Sequence, residues 1–204
     1  KMKMKKLLLL SVTLMSIGFA NAQIKEKGTI EITPKIGTSS FFENNEGNST
    51  SNNAGVQFGV TADYYFNNRW SLRSGLIADK MGGKNYIGSD KYEDKLNYIS
   101  IPINANWHFG STRKWNLNFG LSPSFLTKAT LEYHGMSQKI PSSYIESFQL
   151  GFTYGIGYKI GITEKFGILI DAQFFNGLTN INKATDNRIV NAGYSFNLGG
   201  VIQL

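Results

Sequence analysis

From residue 29 onward apolar and polar residues alternate, and no stretch holds the 3.6-residue period of an amphipathic helix. Eight segments carry the alternation: 29–38, 55–66, 70–80, 96–109, 115–126, 147–160, 166–175 and 190–204. In the second, Val56, Phe58, Val60, Ala62, Tyr64 and Phe66 share one face, against Gln57, Gly59, Thr61, Asp63 and Tyr65. Leu169, Phe175 and Val201 break the pattern by placing apolar side chains on the polar face. A strand of ~10 residues tilted by ~45° crosses roughly 25 Å of hydrocarbon. The connections alternate in length: 67–69, 110–114 and 161–165 are short, whereas 39–54, 81–95, 127–146 and 176–189 are long and polar. This layout predicts an all-β fold, an eight-stranded antiparallel up-and-down transmembrane β-barrel with both termini on the short-turn, periplasmic side.

A soluble β-sandwich or lipocalin-like barrel would also alternate. Two features weigh against it. Aromatic residues of the apolar faces cluster beside the short turns: Phe66, Trp70, Trp107, Phe109, Trp115, Tyr158 and Phe166. Amphipathic rings gather in this way at a membrane interface. Strand glycines fall almost entirely on the polar face, with Gly200 the exception. A narrow interior needs small residues beside large ones, whereas a sandwich packs its apolar face inside.

The N-terminus reads as an export signal. Lys1, Lys3, Lys5 and Lys6 precede an apolar run over 7–19 and the small-x-small sequence Ala20-Asn21-Ala22. Thirteen apolar residues are too few for a bilayer-spanning helix, which needs ~20. Residues 1–22 are therefore expected to be removed, leaving the barrel domain over 23–204. Loss of four lysines takes the net charge from +7 to +3. That removes the main support for a nucleic-acid partner. Cysteine is absent and the two histidines are His108 and His134, so thiol chemistry is excluded and no metal-ligand set of convincing spacing is present. No cofactor motif is found.

The run Asn97-Tyr98-Ile99-Ser100-Ile101-Pro102-Ile103-Asn104-Ala105-Asn106-Trp107-His108-Phe109-Gly110, followed by Asn118-Phe119-Gly120-Leu121-Ser122-Pro123-Ser124, resembles the mid-barrel hairpin of the PorT-like outer-membrane β-barrel family of Gram-negative bacteria. The resemblance implies an eight-stranded barrel and, for some members, a part in secretion machinery. Ser100 stands where the family usually has an acidic residue, and no functional residue is carried across.

Turn parity fixes interior neighbours. Phe66 and Trp70 both face lipid, so Asp63 falls opposite Arg73, His108 opposite Asn116 and Asn106 opposite Asn118. The lumen is expected to hold Glu31, Lys35, Asp63, Arg73, Asp79, Lys159 and Asp171, paired because a lone buried charge is costly. These charges fill the barrel as a polar plug or, on a sharper reading, line an ion path. His134, Ser137 and Glu132 share a loop without forming a catalytic motif. The expected role is a non-enzymatic structural or interaction component of the envelope. A conduit for small hydrophobic molecules is the alternative, and a lipid-modifying enzyme the third. Expected partners are outer-membrane lipid, the barrel assembly machinery during insertion, and an envelope protein meeting the aromatic and charged loops 39–54 and 81–95.

Overall fold

The computed structural model describes residues 25–45 and 48–204. The export signal expected over 1–22 lies outside them. The strands are β1 (Ile30–Asn45), β2 (Asn48–Ser49), β3 (Ser51–Tyr65), β4 (Trp70–Met81), β5 (Gly83–Ile87), β6 (Asp90–Ser100), β7 (Ile103–Phe109), β8 (Trp115–Tyr133), β9 (Met136–Lys139), β10 (Phe148–Gly161), β11 (Phe166–Gly177) and β12 (Ile189–Gln203). All join in one sheet through antiparallel pairs, and β12 pairs with β1, from Glu31↔Gln203 to Asn45↔Ile189, so the sheet closes on itself. Closure satisfies backbone groups that an open edge would leave unpaired in lipid.

The alternating pattern predicts eight strands, and the sheet has twelve segments. Two causes account for the difference. Pro102 has no N–H to give, so the ladder lapses between β6 and β7. The register does not change there: β4 pairs Ile77↔Ser100 on one side of the gap and Ser74↔Ile103 on the other. The long connections also carry strands of their own. β2, β5 and β9 are short, and β1, β6 and β8 run well past their predicted ends. Beyond the hydrocarbon layer no lipid face enforces alternation, while backbone pairing continues.

The outer wall is apolar between two aromatic girdles. On the short-turn side Trp70 packs on Trp107 (6.3 Å between ring centroids), Trp107 on Phe109 (5.1 Å), Phe109 on Trp115 (6.3 Å) and Trp115 on Tyr158 (4.8 Å). Phe66 and Phe166 are exposed on the same rim. On the loop side Tyr154 stacks on Phe174 (5.1 Å), Phe174 meets Tyr194 (6.5 Å) and Phe125 meets Phe148 (5.5 Å). The second girdle had no counterpart in the sequence reading.

The interior divides in two. The short-turn half is polar and ionic. The loop half holds an apolar cluster of Phe41, Met81, Leu96, Tyr98, Phe175 and Ile181. Gly151 makes room for it: a Cβ there would sit 2.2 Å from Cζ of Phe175.

Candidate functional site

The interior charges are placed by strand register. Asp63 stands opposite Arg73 across the β3–β4 hairpin. The guanidinium donates through Nε to Oδ1 (3.2 Å) and through Nη2 to Oδ2 (3.0 Å). Ser71 Oγ (3.0 Å) and Asn106 Nδ2 (2.8 Å) donate to the same Oδ1. Asp63 is 0% and Arg73 2% exposed. Multiple donors and bidentate geometry are what offset the desolvation of such a pair.

The network then crosses the lumen. Lys159 donates to Glu31 and, at 2.9 Å, to Tyr65 Oη, while Tyr65 donates to Glu31 Oε2 at 2.8 Å. Lys25 lies 3.1 Å from Glu31. Asp171 takes Lys35 at 3.5 Å, Arg73 Nη1 at 3.9 Å and Gln173 Nε2 at 2.8 Å. Asp79 is held differently, accepting from Gln57 and from Ser100 Oγ at 3.3 Å. All seven residues expected in the lumen therefore point inward. Six join one ionic network, and Asp79 sits apart from it with neutral donors.

Near the short turns this network floors a cavity of about 470 Å³. A second void of about 50 Å³ lies mid-lumen among Lys35, Gln57, Arg73, Asp79 and Thr153. Above it the apolar cluster closes the lumen. The loops fold over that end and bond to one another: Glu146 N donates to Ile181 O (2.8 Å) and Ile181 N to Ile189 O (2.9 Å). This seats Ile181 in the lumen, where it is buried against the cluster. The sequence signals for the cluster are Tyr98 and Phe175 on the polar faces of their segments; Phe41, Met81 and Ile181 lie in the predicted connections.

Above the loop-side girdle, the barrel sheet continues through β5, β6, β8 and β9, paired in that order, with β5 joined to β3 through Ser51↔Lys84 and Asn52↔Gly83. Tyr92 stacks on Tyr133 at 4.6 Å. Glu93 gathers Lys91 (2.8 Å) and Lys80 (3.3 Å), and these ammonium groups hold its carboxyl below the ordinary range against the cost of burial. Two carboxyls nearby behave oppositely. Burial, aided by Asp94, pushes Glu43 up to about 8, and burial pushes Asp94 up to about 6.

Two Ser–His arrangements bear on catalysis. In the loop, His134 Nε2 lies 2.9 Å from Asp90 Oδ1, while Ser137 sits opposite Glu132 in the β8–β9 ladder. In the lumen, unforeseen from the sequence, Ser71 Oγ is 2.9 Å from His108 Nε2, and His108 stacks on Tyr65 at 4.8 Å. Ser71 has one hydroxyl proton and gives it to Asp63. Nε2 must then be the protonated nitrogen, donating to Ser71, so it has no lone pair with which to take the serine proton.

A profile of the outer membrane protein beta-barrel domain matches residues 21–183. The chain belongs to this family. It is thus an outer-membrane β-barrel protein, built from antiparallel up-and-down strands. No curated protein matches it. Among solved structures, Ail, the attachment invasion locus protein of Yersinia pestis in complex with the heparin analogue sucrose octasulfate, is 16% identical, with a TM-score of 0.51 over 87% of this chain and 99% of that one. The N-terminal β-barrel domain of Pseudomonas aeruginosa OprF is 14% identical, with a TM-score of 0.49 over 88% and 100%. Neisserial surface protein A is 14% identical, with a TM-score of 0.46 over 84% and 97%. At 16% identity the likeness to Ail is one of fold alone.

Proposed function

We propose that the protein is an eight-stave barrel that acts by binding at its loop side, with neither a conduction path nor a catalytic centre. The observation that carries this is the apolar cluster around Phe41 and Phe175, which fills the loop half of the lumen while the barrel sheet continues above it through β5, β6, β8 and β9. The stave count follows if β6 and β7 are one strand interrupted at Pro102 and β2, β5 and β9 are extensions. A conduit for hydrophobic molecules would need an open apolar cup, and the residues that could line one are packed against each other. An enzyme would need a free base; His108 Nε2 has no lone pair for Ser71, and the Asp63 carboxylate that accepts from Ser71 is already held by Arg73.

The projecting sheet suits a protein partner. Tyr86, Ile87 and Met136 are 60%, 69% and 67% exposed at its tip. Strand β9 pairs with β8 alone among the described residues, leaving an edge that an extended segment can join. The four long connections carry seven basic and eight acidic residues. That balance does not favour a polyanion such as the heparin analogue bound to Ail. The partner is an envelope protein or a protein met outside the cell. A link to secretion machinery rests only on the PorT-like motif at residues 97–110 and 118–124. In this reading the short turns and both termini face the periplasm, the signal is cleaved after Ala22, and the assembly machinery inserts the chain.

Planar-bilayer recording tests the reading. The purified barrel should give no stable conductance. A selective conductance that survives removal of contaminating porins would overturn the proposal.

A further inference from the structure

We propose that the mouth formed by the short turns binds a small, multiply charged phosphoryl anion. The cavity there, about 470 Å³, falls within the ~300–1,000 Å³ common for small-molecule sites. Tyr65, His108, Thr112, Arg113, Lys159 and Lys165 line it.

Charge is distributed unevenly along the barrel axis. The three short turns and residues 25–29 carry six basic residues against two acidic ones, whereas the long connections are close to balanced. Two carboxylates, Glu31 and Glu164, belong to the lining. Glu31, in the floor, already has Lys25 and Lys159 on it, so the floor is not a source of repulsion for an incoming anion.

Arg113 points to the ligand class. Its φ is 56°, in the left-handed region that disfavours an L side chain. Glycine fills the comparable position at Gly110 in the same turn and at Gly28 and Gly135 elsewhere. The strain at residue 113 places a guanidinium at the mouth. That guanidinium donates through Nη1 to Gly110 O, while its Nε is buried without a hydrogen-bond partner. A buried donor left unmade is costly, so turning the Arg113 guanidinium toward an acceptor at the mouth is favourable. Guanidinium, ammonium and hydroxyl donors around one opening match the several oxygens and double charge of a phosphoryl group better than a single carboxylate. The source is either a lipid headgroup or a soluble phosphate compound.

The test uses the full barrel in phosphatidylcholine nanodiscs, titrated with inorganic pyrophosphate and followed by NMR. Saturable shifts are expected at Tyr65, His108 and the Arg113 side chain. Arg113→Gly relieves the backbone and should leave the fold at least as stable. It should weaken pyrophosphate binding about tenfold, the equivalent of one ion-assisted hydrogen bond. Lys165→Gln, on the opposite turn, should weaken it less. Competition by discs containing phosphatidylglycerol would assign the site to a headgroup, and unchanged binding in those discs would assign it to a soluble anion. Absence of saturable shifts at this mouth, or pyrophosphate binding by Arg113→Gly as tight as by the parent, would overturn the proposal.

Discussion

The two halves of the lumen solve the same packing problem with opposite chemistry. Near the short turns the interior is filled by ions that satisfy one another: Asp63 with Arg73, Glu31 with Lys159, Asp171 with Lys35. Near the loops it is filled by Phe41, Met81, Leu96, Tyr98 and Phe175 with Ile181 dropped in from above. Ion pairs are directional and need fixed partners, so they suit the half whose staves are locked by short turns. Apolar side chains tolerate small shifts, so they suit the half covered by long connections. Under the two proposals above, the contrast also divides function: the ionic half takes a ligand, and the apolar half seals the lumen beneath a platform for a partner.

Breaking the ionic half should have the largest effect. Arg73→Ala leaves Asp63 buried with hydrogen bonds from Ser71 and Asn106 and with Lys159, 3.9 Å away, as its remaining counter-charge, and it removes a cation from Asp171. The expected loss is about 4 kcal/mol, the scale of a buried pair with one partner removed. Urea unfolding in lipid vesicles measures it. Adding Asp63→Asn to Arg73→Ala should recover part of the loss, because the under-compensated charge is gone. Equal stability of the single and double variants would mean that water already solvates the pair.

Breaking the apolar half should cost slightly less and have a different signature. Phe175→Ala opens a void beside Phe41, whose ring now meets Phe175 edge-on at 6.1 Å. Loss of about 3 kcal/mol is expected for a buried phenylalanine. Because this cluster is the seal, Phe175→Ala should also introduce transient conductance in planar bilayers where the parent has none. A leak from Arg73→Ala but not from Phe175→Ala would reverse the assignment of the seal.

How far each half was legible beforehand follows from what enforces the pattern. Between the girdles, lipid on one side and a polar lumen on the other demand alternation, so the strands over 55–66 and 166–175 could be read directly. Asp63 opposite Arg73 followed from turn parity alone. Lys159 with Glu31, 128 positions apart, could not be read, because neighbours across the lumen depend on how the sheet closes and shears. Above the girdle neither face meets lipid. The strand β8 continues to Tyr133, where Ala129, Leu131 and Tyr133 alternate with Lys128, Thr130 and Glu132, but an irregularity in its pairing opposite Asn97 and Tyr98 separates this stretch from the predicted strand. The plug is hidden for the same reason, with Tyr98 and Phe175 on the polar faces as its visible signs. The Ser71–His108 contact joins diagonal positions on adjacent staves, which no linear spacing encodes.

A smaller effect tests the boundary between the halves and the platform. Glu43 is 8% exposed, and burial holds its carboxyl up to about 8. The folded state thus keeps a proton that the unfolded chain releases near ~4.5. Stability from this group is fully present below that value and is lost as pH rises toward about 8. Asp94, raised to about 6, adds the same sign over a lower window. Hydrogen exchange over residues 41–53 should quicken between about pH 5 and pH 8, corresponding to a loss of roughly 1–2 kcal/mol after allowing for partial access of water. Glu43→Gln should flatten that dependence. A parent protein whose exchange, corrected for intrinsic rate, does not change over that window would remove the buried-carboxyl reading.

The smallest effect belongs to the ion pairs outside the barrel, and it sharpens the contrast with Arg73. Lys183 lies 3.2 Å from Glu146, close to the Asp63–Arg73 separation, but both side chains are about two-fifths exposed. Water screens such a pair, and ordering two long side chains offsets much of the Coulomb gain. Lys183→Ala should therefore change stability by no more than ~0.5 kcal/mol, and by less at high salt. The backbone bonds that close this end, Lys183 N to Tyr144 O at 3.0 Å and Glu146 N to Ile181 O at 2.8 Å, do not depend on the ammonium and should persist. The seal should stay silent in bilayers. If Lys183→Ala opened a conductance as Phe175→Ala is expected to, the loop clasp would rest on that exposed pair. The apolar packing of Ile181 would then be a consequence of closure, with the ion pair as its cause.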